Sequence, residues 1–260
     1  MKTLYNAEVL ENSAIAEGIY SLWLHCPDAA AIAKAGQFAA VYVNDSSMLL
    51  PRPLSICEVN QEKTALRVVY RLFGKGTREI SRTKIGQFLW ILAPLGNGFD
   101  LDTASDNVAL VGGGIGVPPL LELTKSIKKA LPDGKISVFI GFRDASSVIL
   151  ENDFYKYTET VCISTDDGSY GKKGNAVDLI KDMPKYDVIY ACGPNIMMKN
   201  LAIFAKKTET ACYVSVEERM ACAIGACLAC VTEVIVDGVS SYQRVCAVGP
   251  VFNARELVWK

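Results

Sequence analysis

Apolar and β-branched residues in the first hundred positions come in short runs, at residues 8–10, 19–25, 38–43, 54–59, 65–71 and 88–92. Turn-forming residues separate them: Pro27-Asp28, Lys34-Ala35-Gly36, Asn44-Asp45-Ser46 and Asn60-Gln61-Glu62. Short strands at this spacing predict an antiparallel barrel or sandwich. One brief helical turn fits at residues 29–34. A polar stretch, residues 101–107, reads as a linker, and the pattern then changes. Apolar runs at 108–111, 136–141, 161–165, 188–191 and 212–216 alternate with helical stretches. The helix at 120–131 carries Leu120, Leu121, Leu123, Thr124 and Ile127 on one face, and another covers 195–206. Strand–helix alternation predicts a parallel α/β sheet. Beyond it, residues 232–236 and 242–246 suit a hairpin turning at Asp237-Gly238. The expected units are a barrel over 1–100, a sheet over 101–216 and a small segment over 217–260.

That last segment holds the densest chemistry. Cys222, Cys227 and Cys230 fall within nine residues, and Cys246 follows after fifteen more. The spacing C-x4-C-x2-C…C is that of plant-type [2Fe-2S] ligation: one tight loop supplies three thiolates and a returning strand the fourth. Small apolar residues between them (Ala223, Ile224, Gly225, Ala226, Leu228, Ala229) would let backbone N–H groups approach the sulfurs and keep water away. A zinc site accepts the same four thiolates, although zinc ribbons present two C-x2-C knuckles and this chain has one.

Composition narrows the classes. The 260 residues are half hydrophobic and carry a net charge of −1, which offers nothing to nucleic acid or an anionic membrane. Nine cysteines, with Cys26, Cys57, Cys162, Cys192 and Cys212 scattered outside the loop, suit a reducing cytoplasm rather than a disulfide framework. The start of the chain lacks a signal-peptide core, and the longest apolar run, 108–121, is too short and too rich in Gly and Pro to span a bilayer. A single histidine, His25, makes histidine-based metal sites and triads poor readings.

Four further stretches are candidates for ligand binding. Arg52-Pro53-Leu54-Ser55 offers a guanidinium fork for a phosphate and a hydroxyl three residues on; a surface arginine entering a strand would look the same. Val69-Tyr70-Arg71 ends a strand before Gly74-Lys75-Gly76-Thr77, where Thr77 can open a helix as N-cap beside a phosphate cradle. An ordinary strand–turn–helix reads equally well. Gly112-Gly113-Gly114-Ile115-Gly116 runs into Val117-Pro118-Pro119 and misses the G-x-G-x-x-G fingerprint by one residue. It still sets a glycine turn at the carboxyl end of a strand, where open α/β sheets bind ligands. Cys192-Gly193-Pro194 is a second such turn. Arg143 could meet a 2′-phosphate, or Asp144 a 2′-hydroxyl, and the choice between NAD and NADP stays open.

Taken in order, these stretches resemble the ferredoxin–NADP reductase superfamily. Within it the chain is similar to electron-transfer subunits of class B dihydroorotate dehydrogenase. RPLSI, VYRLFGKGT, PLGNGF, GGGIGVPPL, CGPNIMM, EERMACAIGACLACV and RVCAVGPVF carry the likeness across nearly the whole chain. The resemblance implies FAD in the barrel. Arg52 to Ser55 would hold its pyrophosphate and flavin edge, Val69, Tyr70 and Arg71 would flank it, and Gly76 and Thr77 would cap its phosphates. It implies NAD in the sheet, with Gly112, Gly113, Gly114 and Gly116 along the pyrophosphate path and Cys192, Gly193 and Pro194 near the nicotinamide. It implies a [2Fe-2S] cluster on Cys222, Cys227, Cys230 and Cys246. Electrons would pass from an FMN-containing dihydroorotate-oxidising subunit through cluster and FAD to NAD in pyrimidine synthesis, in a heterotetramer of two copies of each subunit. Two other readings stay open: a reductase subunit of a hydrogenase-type or ferredoxin-linked complex, and a zinc-stabilised partner-binding module. One departure is Ala223, where the family usually has glycine; at positive φ an alanine costs about 1–2 kcal/mol.

Overall fold

The computed structural model describes residues 3–45, 47–181, 183 and 185–259. Ser46 of the expected turn lies outside them. Six strands form the first unit: β1 (Thr3–Ala16), β2 (Ile19–His25), β3 (Phe38–Val41), β4 (Arg52–Val59), β5 (Ala65–Arg71) and β6 (Phe88–Leu95). They close into an antiparallel barrel in the order β1-β2-β5-β4-β3-β6. Helix α1 (Pro27–Ile32) sits where the brief helical turn was expected, and α2 (Lys75–Arg82) follows β5. Inward residues such as Leu22, Leu24, Ile56, Leu66, Val68 and Ile91 are fully buried, and Ile80 of α2 joins them. Each such side chain contributes roughly 1.5–3 kcal/mol of burial.

β1 is far longer than the apolar run at 8–10. Only Ala7 and Val9 are buried in it; the rest alternates with polar residues that face out. Its first half pairs with β6 and its second with β2, with a register shift between Val9 and Glu11. β3 stops two residues short of expectation, although Tyr42 N still donates to Trp90 O at 2.9 Å.

The second unit is a seven-stranded sheet. It contains β7 (Asn107–Gly113), β8 (Lys135–Phe142), β9 (Thr160–Thr165), β10 (Lys172–Lys173), β11 (Val188–Cys192), β12 (Ala211–Ser215) and, from the C-terminal segment, β15 (Val251–Asn253). Their order is β10-β9-β8-β7-β11-β12-β15. All pairs are parallel except β12–β15, so the expected parallel sheet carries one antiparallel edge strand. Period-two alternation sends side chains to both faces. Val108 and Leu110 pack with α3 (Pro119–Ala130) on one face. Ala109 and Val111 pack with α5 (Ala176–Lys181) and α6 (Asn195–Lys207) on the other. A one-turn helix, α4 (Glu151–Phe154), packs beside α3.

Barrel and sheet share one interface. Val59 N of β4 donates to Glu122 Oε2 of α3 at 2.8 Å, and Arg67 of β5 pairs with Asp153 of α4 at 3.2 Å. The last unit is the hairpin β13 (Val231–Val236) and β14 (Val239–Arg244). Asp237 and Gly238 both have positive φ, as a two-residue type I′ turn requires. The second arm therefore starts earlier than expected and ends two residues before Cys246. Val234, Val245, Cys246 and Leu257 merge with the core under α6.

Candidate electron-transfer site

The carboxyl end of β5 faces the glycine turn after β7, and two clefts meet there. The first, about 430 Å³, is lined by Pro53, Leu54, Ser55, Val69, Tyr70 and Arg71, with Phe73, Ile115 and residues 215–218 opposite. The second, about 330 Å³, lies between Gly113, Gly114, Gly116, Gly193 and Pro194. Arg71, Ile115 and Glu217 line both. A larger cleft of about 800 Å³ beside α3 contains none of the predicted residues. Its Glu122 and Lys125 are already spent on Val59 of β4.

Arg52 and the start of α2 come together as the sequence suggested. A Cβ at Gly76 would collide with the Arg52 guanidinium, so glycine is what lets the charge lie on the helix's first turn. Arg52 also donates to Leu50 O and, at 3.6 Å, to Met48 Sδ. Thr77 differs from expectation. The N-cap is Gly74, and Thr77 sits at the third helical position. Its hydroxyl accepts from Phe73 N at 2.9 Å and Gly74 N at 3.3 Å, the reach-back half of a capping box. Its side chain serves the turn, which leaves the unpaired backbone N–H groups of the first turn as the donors at this helix start. Tyr70 lines the cleft while its hydroxyl is held inside the barrel. It is 1% exposed, its hydroxyl donates to Asn12 Oδ1 at 3.0 Å, and its ring stacks on Tyr20. Val69, Tyr70 and Arg71 all still line the cleft, Tyr70 as the most deeply held of the three.

The two glycine turns touch. A Cβ on Gly116 would stand 2.5 Å from Gly193 Cα, and one on Gly113 would meet Met197 Sδ at 2.7 Å. Gly112 is a packing glycine, pressed by Leu120 and Val117, and stands behind the cleft wall. Cys192 is buried behind the same wall, where loss of solvent pushes its thiol up to about 12. Arg143 and Asp144 pair with each other. Arg143 Nε donates to Asp144 Oδ2 at 2.8 Å, while Ser146 and Ser147 donate to Oδ1. Those donors hold the Asp144 carboxyl below the usual carboxylate range.

Sequence reasoning gave no role to Glu217, the second residue beyond the end of β12 at Ser215. The carboxylate lines both clefts, and a third small one with Asn195 and Trp259. Part of the residue is exposed, and desolvation by the surrounding protein raises its carboxyl above the ordinary value. Its signal was available: an acid directly after a buried strand at the carboxyl edge of the sheet.

The four predicted cysteines come as two pairs. Cys222 and Cys227 form the outer one. Burial pushes the Cys222 thiol up, but N–H donors from Ile224, Cys227 and Ala226 and the Cys227 thiol outweigh it and bring it to about 6. The Ala226 and Cys227 amides lie 3.3 and 3.4 Å from its Sγ. Cys230 and Cys246 form the inner pair, 2% and 0% exposed. Cys246 N lies 3.5 Å from Cys230 Sγ, and burial beside that thiol pushes Cys246 up to about 11. Arg244 Nη1 braces the loop at Gly225 O, 2.7 Å away. Ala223 and Leu228 both stand at φ +58°. Among the described residues no three His, Cys, Asp or Glu side chains gather tightly enough for one metal ion. Two thiol pairs with amide N–H groups aimed at sulfur fit a two-iron cluster better than a single tetrahedral ion.

Comparison with known proteins agrees with this geometry. Residues 217–258 match the family described as the iron–sulfur cluster binding domain of dihydroorotate dehydrogenase B. The chain is 39% identical to the dihydroorotate dehydrogenase B (NAD(+)) electron transfer subunit of Clostridium perfringens, covering 97% of both. It is 42% identical to that of Geobacillus sp. (strain WCH70), covering 96% of both. A solved NADH-dependent reduced ferredoxin-NADP oxidoreductase, described for flavin-based electron bifurcation, superposes with a TM-score of 0.86 at 30% identity. That match covers 100% of this chain and 92% of the other. Full-length identity at this level, over a barrel, a sheet and a cysteine loop in the same order, places the chain in the family of dihydroorotate dehydrogenase B electron transfer subunits.

Proposed function

We propose that FAD occupies the cleft under β4 and β5, NAD the cleft between the two glycine turns, and a [2Fe-2S] cluster the four thiols. The observation that carries this is the shared wall: Arg71, Ile115 and Glu217 line both clefts, so rings lying in them would abut. Arg52 and the first-turn amides of α2, at Gly76 and Thr77, bind the FAD pyrophosphate. Pro53, Leu54, Ser55, Val69 and Arg71 form the ring's walls, with Tyr70 anchoring its strand from inside the barrel. Gly113, Gly114 and Gly116 let the dinucleotide's phosphates approach backbone, while Gly193 and Pro194 shape the nicotinamide end. Gly112 and Cys192 back them. Flavin supplies the exchange between a two-electron and a one-electron carrier. The chain's task is placement, and loop amides at Cys222 and shielding by Ala223 tune the cluster.

The electron source in this reading is an FMN-containing subunit that oxidises dihydroorotate in the cytoplasm, assembled with this chain two and two. Cys227 is exposed, and Ile224, Leu228 and Val248 stand exposed on the same segment, a surface suited to a docked partner. Among the described residues no helix is long and apolar enough to cross a membrane. The test is co-expression with a class B catalytic subunit, then dihydroorotate-dependent NAD reduction. Turnover well above the catalytic subunit alone is expected, and none would count against the reading. The solved ferredoxin-linked relative favours a second partner class. Reduced ferredoxin therefore replaces dihydroorotate in a parallel arm, and activity there alone would favour that class.

A further inference from the structure

The cleft of about 800 Å³ beside α3 shares no lining residue with the two clefts at β5. Its walls come from three places: the barrel between residues 30–37 and 59–63, the linker 97–102, and α3 from Glu122 to Lys129. The seam is already tied at Val59, whose carbonyl accepts from Lys125 Nζ and whose N–H donates to Glu122 Oε2 at 2.8 Å. Phe99 N ties the linker to Ala35 O at 2.9 Å. Four charged groups that line the cleft take no part in these ties. The side chains of Lys34, Lys63, Lys129 and Asp102 have no hydrogen bond or ion pair among the described residues. Lys129 stands one turn beyond Lys125 on α3, and like charges at that spacing repel. Lys63 N donates to Asn60 O at 3.0 Å, which keeps Lys63 in the turn beside the Val59 joint. Three ammonium groups thus share this end with one carboxylate, and Glu122 already holds Lys125 at 3.5 Å. An anion is what such a wall lacks, and lysine serves phosphate as a point charge. The linker offers the complement. Asp100 and Asp102 only accept hydrogen bonds, so they suit hydroxyls and turn phosphate away. Ala35 and Phe99, 4% and 5% exposed, add apolar surface. The volume falls in the range of roughly 300–1,000 Å³ typical of small-molecule sites.

We propose that this cleft binds a phosphorylated sugar, free or as part of a nucleotide, with its phosphate on Lys63 and Lys129 and its hydroxyls on Asp100 and Asp102. The site goes beyond the function proposed above and does not depend on it. Barrel, linker and α3 all line it, so an occupant braces one unit against the other. A ligand that binds only this folded arrangement adds to the stability of the chain.

The test is calorimetric titration of the full chain, with FAD and NAD present at saturation so that the clefts at β5 are occupied. Three probes are used: ribose 5-phosphate, adenosine monophosphate and inorganic phosphate. At least one of the two sugar phosphates is expected to bind about tenfold or more tightly than inorganic phosphate, and which one does so tells a free sugar from a nucleotide. Lys63→Gln combined with Lys129→Gln changes two exposed side chains. The pair is expected to lower affinity for the sugar phosphate about tenfold to a hundredfold and to abolish the rise in melting temperature that the probe causes. Asp102→Asn is expected to bring the sugar phosphate toward the affinity of inorganic phosphate. No binding of either sugar phosphate, affinity no better than that of inorganic phosphate, or affinity unchanged in either variant would overturn the proposal. A parent chain that takes up neither FAD nor NAD would instead remove the proposed function, and the same titration would still decide the cleft.

Discussion

The Arg52 guanidinium lies across the first turn of α2 at Gly76, where no Cβ could fit. That contact brings two motifs 24 positions apart in the chain together at the place proposed for the FAD phosphates. Gly76→Ala should push the guanidinium off the helix and weaken FAD binding without touching the barrel core. A charge-assisted hydrogen bond is worth about 1.5–3 kcal/mol, or roughly tenfold to a hundredfold in affinity. Flavin titration of the apoprotein measures this; affinity equal to the parent's would remove Arg52 from the phosphate site.

The two thiol pairs should respond differently to serine. Cys227 is exposed, so Cys227→Ser is expected to abolish the cluster's resonance signal in the reduced protein while NADH still bleaches FAD. Cys246 is 0% exposed within a core that includes Val245 and Leu257. Cys246→Ser should lose the cluster and also about 1–3 kcal/mol of stability for a buried hydroxyl without a designed partner. Thermal unfolding of the two variants side by side separates these outcomes. Equal melting temperatures would contradict the buried inner pair.

Ala223 stands at φ +58° with 1% of its surface exposed. A left-handed alanine costs about 1–2 kcal/mol, and its methyl returns roughly 0.8 kcal/mol by burial. Ala223→Gly should therefore stabilise the chain slightly, by less than about 1 kcal/mol, while the β-branched Ala223→Val should destabilise it by more than about 2 kcal/mol. Denaturant midpoints test the opposite signs.

Arg67 spans the interface between barrel and sheet. It pairs with Glu58 at 3.3 Å and Asp153 at 3.2 Å, and Nε donates to Ser21 Oγ at 2.9 Å. Burial pushes the Asp153 carboxyl up, but Lys156 and Arg67 outweigh it, and the carboxyl ends below its ordinary value. A carboxyl lowered by folding stabilises the protein above its unfolded pKa, and that contribution fades as pH falls through the folded one. The stability gap between the parent and Asp153→Asn should be about 1 kcal/mol and flat from pH 7 to about pH 5, then shrink toward pH 3. A gap that widens on acidification would reverse the sign assigned here.

How far the sequence reached can be read from particular residues. The cysteine loop was legible because its spacing is written in the chain itself: Cys222, Cys227 and Cys230 lie within nine residues. Arg52 with Gly76, and Gly113 with Gly193, were legible as separate turns, since glycine marks where backbone must come close. Strand–helix alternation gave the sheet and the helix face of Leu120, Leu123 and Ile127, all fully buried.

Long-range pairing decided the rest. β1 extends to fourteen residues because two different neighbours each hydrogen-bond one half of it, while its outward polar residues leave no long apolar run to read. β10 and β15 are two and three residues long and exist only through their partners. Thr77 looked like a helix opener, but the turn after β5 starts the helix at Lys75 and spends the hydroxyl on backbone. Glu217 is an ordinary acid in the sequence. It comes to line two clefts only because the end of β5 and the carboxyl edge of the sheet meet there. Local spacing is fixed by covalent geometry, whereas the surroundings of a side chain are set by elements far away in the chain.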